Sequence, residues 1–263
     1  MDTQYNNQNT NQSSRQGEWI HTDSSQPPMT CKRVSRYMKS EARGALLGHL
    51  GTAVGANVLY FVLILLLSWI VSAFTANTAI GIFVADILSL LVGILSGILE
   101  YGLATIYMNL QYQQFTRVSD LFAGFRENSN KIILIGLYLA VIETLCALPC
   151  TIALYFANGT ASWIVAGILA VCGIIATYYI EMTYALSLYV LLDYPDMNWK
   201  DVLRKSRYLM KGHKKHLLYI SVSFLPLYLL SVLSFGIAAI VVFAYEQAAK
   251  AAFYKGRMEN RMM

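Results

Sequence analysis

The stretch LLYISVSFLPLYLLSVLSFGIAAIVVFAYEQAAKAAFY (residues 217–254) decides how the chain is folded. As one straight helix it would be about 57 Å long, nearly twice the thickness of the hydrocarbon core of a bilayer. Its centre holds LSFG (residues 233–236), and a Ser and a Gly together are typical of a tight turn. The pattern therefore predicts two apolar helices joined as a hairpin.

The rest of the chain has the composition of a membrane protein. Of its 263 residues, 56% are hydrophobic and 13% are charged, whereas a soluble domain has about 25% charged residues. Lys and Arg are absent from 44–116 and again from 132–199. Each gap is long enough for two helices of roughly 20 apolar residues. Together with the hairpin, the gaps predict six membrane spans, at 50–74, 80–108, 131–156, 161–192, 217–233 and 236–254.

The placement of basic residues predicts the orientation of these spans. With six spans, all 20 Lys and Arg residues fall on or near one side of the membrane. The opposite loops, TANTA (75–79), ANGTA (157–161) and LSFG, carry none. The positive-inside rule then predicts a multi-pass plasma-membrane protein with both termini in the cytoplasm.

Three regions follow along the chain. Residues 1–30 are rich in Asn, Gln and Ser and are nearly free of aliphatic side chains, so we expect a disordered cytoplasmic tail. This tail lacks the apolar stretch of a signal peptide. The six-span membrane domain is predicted at 31–258, with a short cytoplasmic tail at 259–263.

An internal repeat is indicated by a shift of 81 residues. The shift superimposes Glu100 on Glu181 and Asp120 on Asp201, and a third, shorter unit at 198–254 carries Glu246. Gly-His pairs also recur, at 48–49 and 212–213. We therefore expect an all-α fold of three helical hairpins, each preceded by an amphipathic cytoplasmic helix, which is compatible with pseudo-threefold symmetry.

The third of these surface helices is read from WKDVLRKSRYLM (residues 199–210). One helical face holds Trp199, Val202, Leu203, Ser206, Leu209 and Met210. The basic residues occupy the remainder of the surface, at Lys200, Arg204, Lys205, Arg207 and Lys211. The second unit repeats the apolar face through Val118, Leu121, Phe122 and Phe125. Such a helix is expected in the headgroup layer, anchored by Trp199 and binding anionic lipid. Nucleic acid is not an expected partner, because the chain lacks a stacking platform.

Five carboxyl groups lie within the apolar runs, at Glu100, Glu181, Glu246, Glu143 and Asp86. Ionisable groups at membrane depth are costly and are functional candidates. One interpretation is a proton or cation site inside a small transporter. The other, commoner case is structural, with carboxyls bound to Tyr or Ser and Glu246 paired with Lys250. Pro149 and Pro226 also interrupt two spans, as in transporter sites or in tolerated kinks.

Enzymatic chemistry has only a weak candidate, the cytoplasmic group Asp193, Asp196, His213 and His216. No nucleophile motif or phosphate loop accompanies it. Cys146 and Cys150 share a helix face, but no His supports a metal pair there. We therefore expect no enzyme activity, no catalytic residues, no metal and no cofactor.

The C-terminal half carries a family resemblance. The segment 191–224 is similar to the D-x-P-x-x-S … S-x-x-x-M-K-G-x-K … L-S-F signature of the bacterial domain-of-unknown-function family 975, through Asp193, Pro195, Ser206, Met210, Lys211, Gly212, Lys214, Ser223 and Phe224. The ending resembles that family through Gly236, Ile237, Tyr245, Phe253 and Tyr254, and residues 38–54 resemble its opening. Asn198 and Ala244 depart from the family pattern. The resemblance implies an integral membrane protein, typical of Gram-positive bacteria, without an established activity.

These patterns favour a non-enzymatic membrane-organising or accessory protein. Its expected partners are anionic lipids of the inner leaflet, with a protein partner or a homo-oligomer as further possibilities. The alternative is a small-solute or ion transporter that uses the intramembrane glutamates, and a membrane enzyme is a less favoured reading.

Overall fold

The computed structural model describes residues 30–73, 79–155, 160–234 and 236–259, and all regular structure within these ranges is helical. The all-α fold class is therefore confirmed. The helices are α1 (Cys31–Leu46), α2 (Leu50–Ala73), α3 (Ala79–Gln111), α4 (Ala123–Arg126), α5 (Ser129–Tyr155), α6 (Thr160–Tyr184), α7 (Ser187–Asp193), α8 (Trp199–Met210), α9 (Lys214–Val222), α10 (Leu225–Val232) and α11 (Ile237–Glu259), with a 3₁₀ helix at Val118–Phe122. Most of both predicted tails, and most of the predicted loops at 75–79 and 157–161, lie outside the described residues.

Five segments of the described chain are long and apolar enough to cross a membrane: Leu50–Ala73, Ile87–Gln111, Ser129–Cys146, Val165–Asp193 and Lys214–Val232. They identify a membrane protein. The predicted sixth span falls on α11, which is 23 residues long but is not among these five. Its middle carries the charged side chains of Glu246 and Lys250.

The packed core and the apolar surface lie in different parts of the bundle. Fully buried side chains concentrate in the second half of α3, in α7 and α8, and in the second half of α11, as at Tyr107, Leu191, Val202 and Tyr254. Large apolar side chains are instead exposed along α2, α6 and α10, as at Leu65, Trp69, Ile174, Leu229 and Leu230. An apolar surface of this extent is typical of contact with lipid. The part of the bundle with the buried core is also the part that carries the basic surface segments.

The predicted reversal at 233–236 is present in the structure. Helix α10 ends at Val232, α11 begins at Ile237, and the two helices pack against each other. The hydroxyl of Ser234 accepts the Ala238 N–H at 3.0 Å and so caps the first turn of α11. The sequence was therefore interpreted correctly at the position where one long apolar run becomes two helices.

Pro226 does interrupt a span, and α1 fills the break. Helix α9 ends and α10 begins on either side of 223–224, with Pro226 in the first turn of α10. The Lys39 ammonium of α1 donates to the Ser223 carbonyl at 3.0 Å and lies 4.3 Å from the centre of the Phe224 ring. A cation therefore satisfies a carbonyl that the helix break leaves open. Pro149, by contrast, lies inside the continuous helix α5.

Three basic surface segments pack around the bundle. Helix α1 packs on α11 and α9, segment 118–126 packs on α3 and α2, and α8 packs on α5, α6 and α7. The prediction of a full amphipathic helix is wrong for the second segment, which is a five-residue 3₁₀ helix followed by the four-residue α4. It lies with its backbone directly on α3. A Cβ on Gly102 would be 1.8 Å from the Leu121 carbonyl oxygen, and one on Gly124 would be 2.5 Å from the Ile98 carbonyl oxygen.

The two Gly-His pairs adopt the same turn. Leu47 has φ −63° and ψ 121°, and Lys211 has φ −63° and ψ 120°. The glycines that follow, Gly48 and Gly212, have φ of +88° and +82°, a conformation that glycine adopts without strain. Both turns are closed by an N–H to carbonyl bond of 3.1 Å. This is type II turn geometry, and it joins α1 to α2 and α8 to α9 in the same way.

Candidate functional site

Four of the five predicted carboxyl groups form one electrostatic group, in which Glu100 and Glu181 are exposed and the other two are half-buried. Each comes from a different helix: Glu100 of α3, Glu143 of α5, Glu181 of α6 and Glu246 of α11. Glu100 interacts electrostatically with Glu143, with Glu181 and with Lys250 of α11. Tyr178 of α6 interacts in the same way with Glu181 and Glu246 and so links the remaining pair. The side chain of Asp86 lies outside the described part of the chain.

Two of the four carboxyl groups have direct partners. Glu246 accepts the Tyr228 hydroxyl at 2.7 Å and the Ser221 hydroxyl at 3.3 Å, and it pairs with the Lys250 ammonium at 3.3 Å. Glu100 accepts the Tyr60 hydroxyl at 3.2 Å. These bonds connect α10 to α11 and α2 to α3, which is the arrangement that a structural role requires.

The other two carboxyl groups are not satisfied in this way. Among the described residues, neither Glu143 nor Glu181 has a hydrogen-bond partner; Glu181 is exposed and Glu143 is half-buried. Helix α6 packs mainly on α5, α8 and α9 and does not pack closely on α3 or α11 in the described ranges. The four carboxyl groups, together with the space that this packing leaves between α6 and the pair α3 and α11, are here called the carboxyl cleft. A carboxylate at membrane depth is stable only where water or a counter-ion can reach it.

The carboxyl cleft is not arranged as a metal-chelating site. In the described part of the chain, no three His, Cys, Asp or Glu side chains lie close enough together to hold a metal ion. The four carboxyls interact through their charges over a wider region, which suits a proton or a hydrated or organic cation better than a bare divalent metal ion.

A cluster of aromatic hydroxyls lies next to the carboxyl groups, since Tyr189 interacts with Glu100 through charge. Tyr107, Tyr189 and Tyr254 are buried, and the rings of the last two stack with centroids 5.5 Å apart. The Asn57 amide donates to the Tyr107 hydroxyl at 2.8 Å, and the Tyr254 hydroxyl donates to the Asp193 carboxylate at 2.6 Å. Each tyrosine follows a repeat-related glutamate by seven or eight positions in the sequence. Asn57 was not predicted from the sequence, where its signal is an amide in an otherwise apolar span.

Asn57 is also incompletely satisfied. It is fully buried, and its side-chain oxygen has no hydrogen-bond partner among the described residues. Buried amide oxygens are normally bonded. This oxygen is therefore a position where a water or another donor would be stabilised beside the tyrosine cluster.

Helix α8 is amphipathic as predicted, but its apolar face is covered by other helices of the chain. Val202, Leu209 and Met210 are fully buried, since α8 packs on α5, α6 and α7. The Trp199 ring lies 6.0 Å from that of Tyr138 of α5. The expectation that this apolar face enters the headgroup layer is therefore wrong, because neighbouring helices of the same chain cover the face. Trp199 is only partly buried, and its place in the headgroup layer stays a prediction.

The basic residues of α8 differ in their surroundings. Arg204 is exposed and pairs with Asp201 at 3.0 Å, and the Lys205 ammonium lies 3.1 Å from the centre of the Tyr194 ring. The exposed Arg207 donates to the Tyr184 hydroxyl, which raises the pKa of its guanidinium. Lys200 and Lys211 are exposed on the same helix.

The predicted enzyme candidates do not assemble into one group. Asp193 is bound by a tyrosine hydroxyl, and Asp196 is exposed. The rings of His213 and His216 are 5.5 Å apart. Burial, followed by the nearby charges of Arg257 and His216, holds the pKa of His213 below its usual value. Their arrangement is that of a basic helix end beside a helix exit.

Comparison with known proteins gives one match. A family model described as "Protein of unknown function (DUF975)" matches residues 33–261. The match includes every carboxyl group of the cleft. Comparisons with curated proteins and with solved structures gave no match.

Proposed function

The chain belongs to the DUF975 family, and we propose that it is a six-span plasma-membrane protein that binds a proton or a small cation in the carboxyl cleft, as a transporter does. The observation that carries this proposal is the state of Glu143 and Glu181. Both lie in apolar spans, both interact with Glu100 through charge, and neither has a hydrogen-bond partner among the described residues. Purely structural carboxyls at this depth would be bonded.

The electrostatics of the carboxyl cleft favour a cationic ligand. Four carboxyl groups face one ammonium group, that of Lys250, and this ammonium is already paired with Glu246. An added positive charge is therefore stabilised near Glu143 and Glu181.

The packing of the surface segments supports a threefold architecture with α11 as the sixth span. Segment 118–126 packs on the α2–α3 hairpin, α8 packs on the α5–α6 hairpin, and α1 packs on α9 and α11. The second and third basic segments thus each cover the hairpin of the preceding unit. The first basic segment, α1, covers the hairpin of the third unit, which completes the cyclic arrangement. The identical turns at Gly48 and Gly212 support the same arrangement. With six spans the basic segments lie in the cytoplasm, together with both termini.

Liposome reconstitution tests the proposal. Purified protein is placed in vesicles with an imposed pH or cation gradient, and dissipation is followed with a pH-sensitive dye. The variant Glu143→Gln/Glu181→Gln should lose flux at least about tenfold, because Gln cannot carry the charge. Glu127→Gln, at an exposed position outside the carboxyl cleft, is the matched control and should retain flux.

The outcomes separate function from structure. Retained flux in a double variant of normal thermal stability would refute the cleft as the site, and absence of any proton or cation flux in the wild type would refute transport. Loss of folding in the double variant would show that the two glutamates are structural.

A second candidate is the accessory protein that engages anionic lipid or a protein partner. The exposed positions of Lys200, Arg204 and Lys211 on α8 favour it, since they leave these charges outside the packed bundle. Vesicle flotation of the triple Gln variant, compared with the wild type, measures this contribution. Unchanged recovery with phosphatidylglycerol vesicles would count against it.

A further inference from the structure

A groove of about 200 Å³ opens on the surface where α1, α2 and α11 meet. Its apolar lining comes from the end of α1, the turn that follows, the first residue of α2 and the first half of α11, through Leu46, Leu47, Leu50, Val241 and Val242. Arg43 stands at its rim. The groove lies apart from the carboxyl cleft and plays no role in the function proposed above.

The guanidinium of Arg43 is free to bind an anion. It is exposed, and no hydrogen bond, ion pair or ring contact engages its side chain among the described residues. Arg207 holds the equivalent position before the second Gly-His turn. Its guanidinium is engaged, because it donates to the Tyr184 hydroxyl and lies 5.5 Å from the centre of that ring. The two equivalent arginines therefore serve different purposes. A planar guanidinium binds a phosphate through two parallel hydrogen bonds.

The position of the groove indicates what would occupy it. Leu47, Leu50 and Val241 are 67%, 46% and 47% exposed, and Leu50 is the first residue of a span. In the six-span arrangement proposed above, apolar side chains at the start of a span would face the acyl region of the leaflet. Arg43 lies on α1, towards the basic and packed part of the bundle, where the headgroups of that leaflet would lie.

We propose that the groove binds one acyl chain of an anionic phospholipid, with its phosphate on Arg43. An apolar groove with a single unpaired cation at one end is complementary to an acyl chain attached to an anionic headgroup. The polar Asn/Gln/Ser-rich segment at residues 1–30 of this chain does not match the apolar lining. This site is distinct from the α8 surface and does not depend on transport activity.

Native mass spectrometry of the full chain in detergent tests the proposal, with phosphatidylglycerol and phosphatidylcholine as probes. Wild-type protein should retain phosphatidylglycerol in preference to phosphatidylcholine. Arg43→Gln should weaken retention about fivefold, the factor expected for one basic residue at a membrane surface. Arg36→Gln, an exposed arginine two turns earlier on the same helix, is the matched control and should retain the lipid.

Two further arms test the groove and the lipid itself. Val241→Trp should fill the groove and displace the lipid, whereas Leu229→Trp, at an exposed apolar position on α10, should not. Glycerol 3-phosphate should not compete, because it lacks the acyl chain. The proposal would be overturned if Arg43→Gln retained as much lipid as the wild type, or if both arginine variants lost lipid equally. It would also be overturned if Val241→Trp dissociated a dimer of this chain without releasing lipid.

Discussion

Replacing Gly102 by Ala should displace the surface segment 118–126 from α3. A Cβ at this position would be 1.8 Å from the carbonyl oxygen of Leu121, and its next contacts are also backbone atoms of Leu121. Backbone cannot rotate away as a flexible side chain can. The segment must therefore move by roughly 1 Å or more to restore an ordinary contact.

The size of the effect follows from how tightly the segment is held. Leu121 is fully buried, and the backbone around Gly124 rests directly on the Ile98 carbonyl, so the segment cannot move at one end alone. Overpacking of this kind costs about 1–3 kcal/mol. The better helix propensity of Ala offsets about 0.5–1 kcal/mol of that cost. We expect a net loss of about 1–2 kcal/mol.

Gly93→Ala is the matched control, because it lies on the same helix and a Cβ there meets nothing within 4 Å. Thermal unfolding in detergent should show a lower Tm for Gly102→Ala and an equal or higher Tm for Gly93→Ala. If both substitutions change Tm alike, the close approach of segment 118–126 to α3 does not exist and the reasoning fails.

Two further predictions concern protonation and hydrogen bonding. The pKa of His213 is lowered by burial and by Arg257 and His216, so on acidification the unfolded chain takes up a proton near pH 6.5 before the folded chain does. The stability of the folded protein should therefore fall as the pH drops below about 6.5, and His213→Gln should reduce the fall in Tm measured from pH 7.5 to 5.5. An acid response identical to that of the wild type would contradict the assignment. Tyr228→Phe removes the 2.7 Å bond to Glu246 and should cost about 1 kcal/mol in detergent unfolding; a Tm equal to that of the wild type would show that Ser221 and Lys250 suffice.

Much of the helical architecture could be predicted, because it depends on the hydrophobic composition of each segment and on the spacing of its apolar residues. Apolar runs predicted the helices, and LSFG predicted the turn between α10 and α11, since both are local properties of the chain. The prediction for segment 118–126 was wrong because its conformation depends on Gly102, a residue of another helix. The burial of the apolar face of α8 could not be predicted for a similar reason, as it depends on α5, α6 and α7, which cover that face.

The carboxyl cleft likewise combines features that the sequence predicts with features that only the packing of helices decides. Their position inside apolar runs identified Glu100, Glu143, Glu181 and Glu246 as unusual, but it could not tell which of them have partners. That distinction depends on which neighbouring helix places a hydroxyl within reach, as Tyr228 does for Glu246. Asn57 was missed because a single amide in an apolar run has no periodic signal, and its contact with Tyr107 joins positions far apart in the chain.

The sequence by itself determined that this is an all-helical membrane protein of the DUF975 family, because hydrophobicity acts on each segment separately and the family signature lies in the residues themselves. Only the tertiary structure decided which polar groups are satisfied and which are open. Glu246 and Glu100 are bonded, whereas Glu143 and Glu181 have no hydrogen-bond partner within the described ranges, and Arg43 is free where Arg207 is engaged. The physical reason is that a hydrogen bond requires two groups within about 3 Å, and helix packing alone sets that distance.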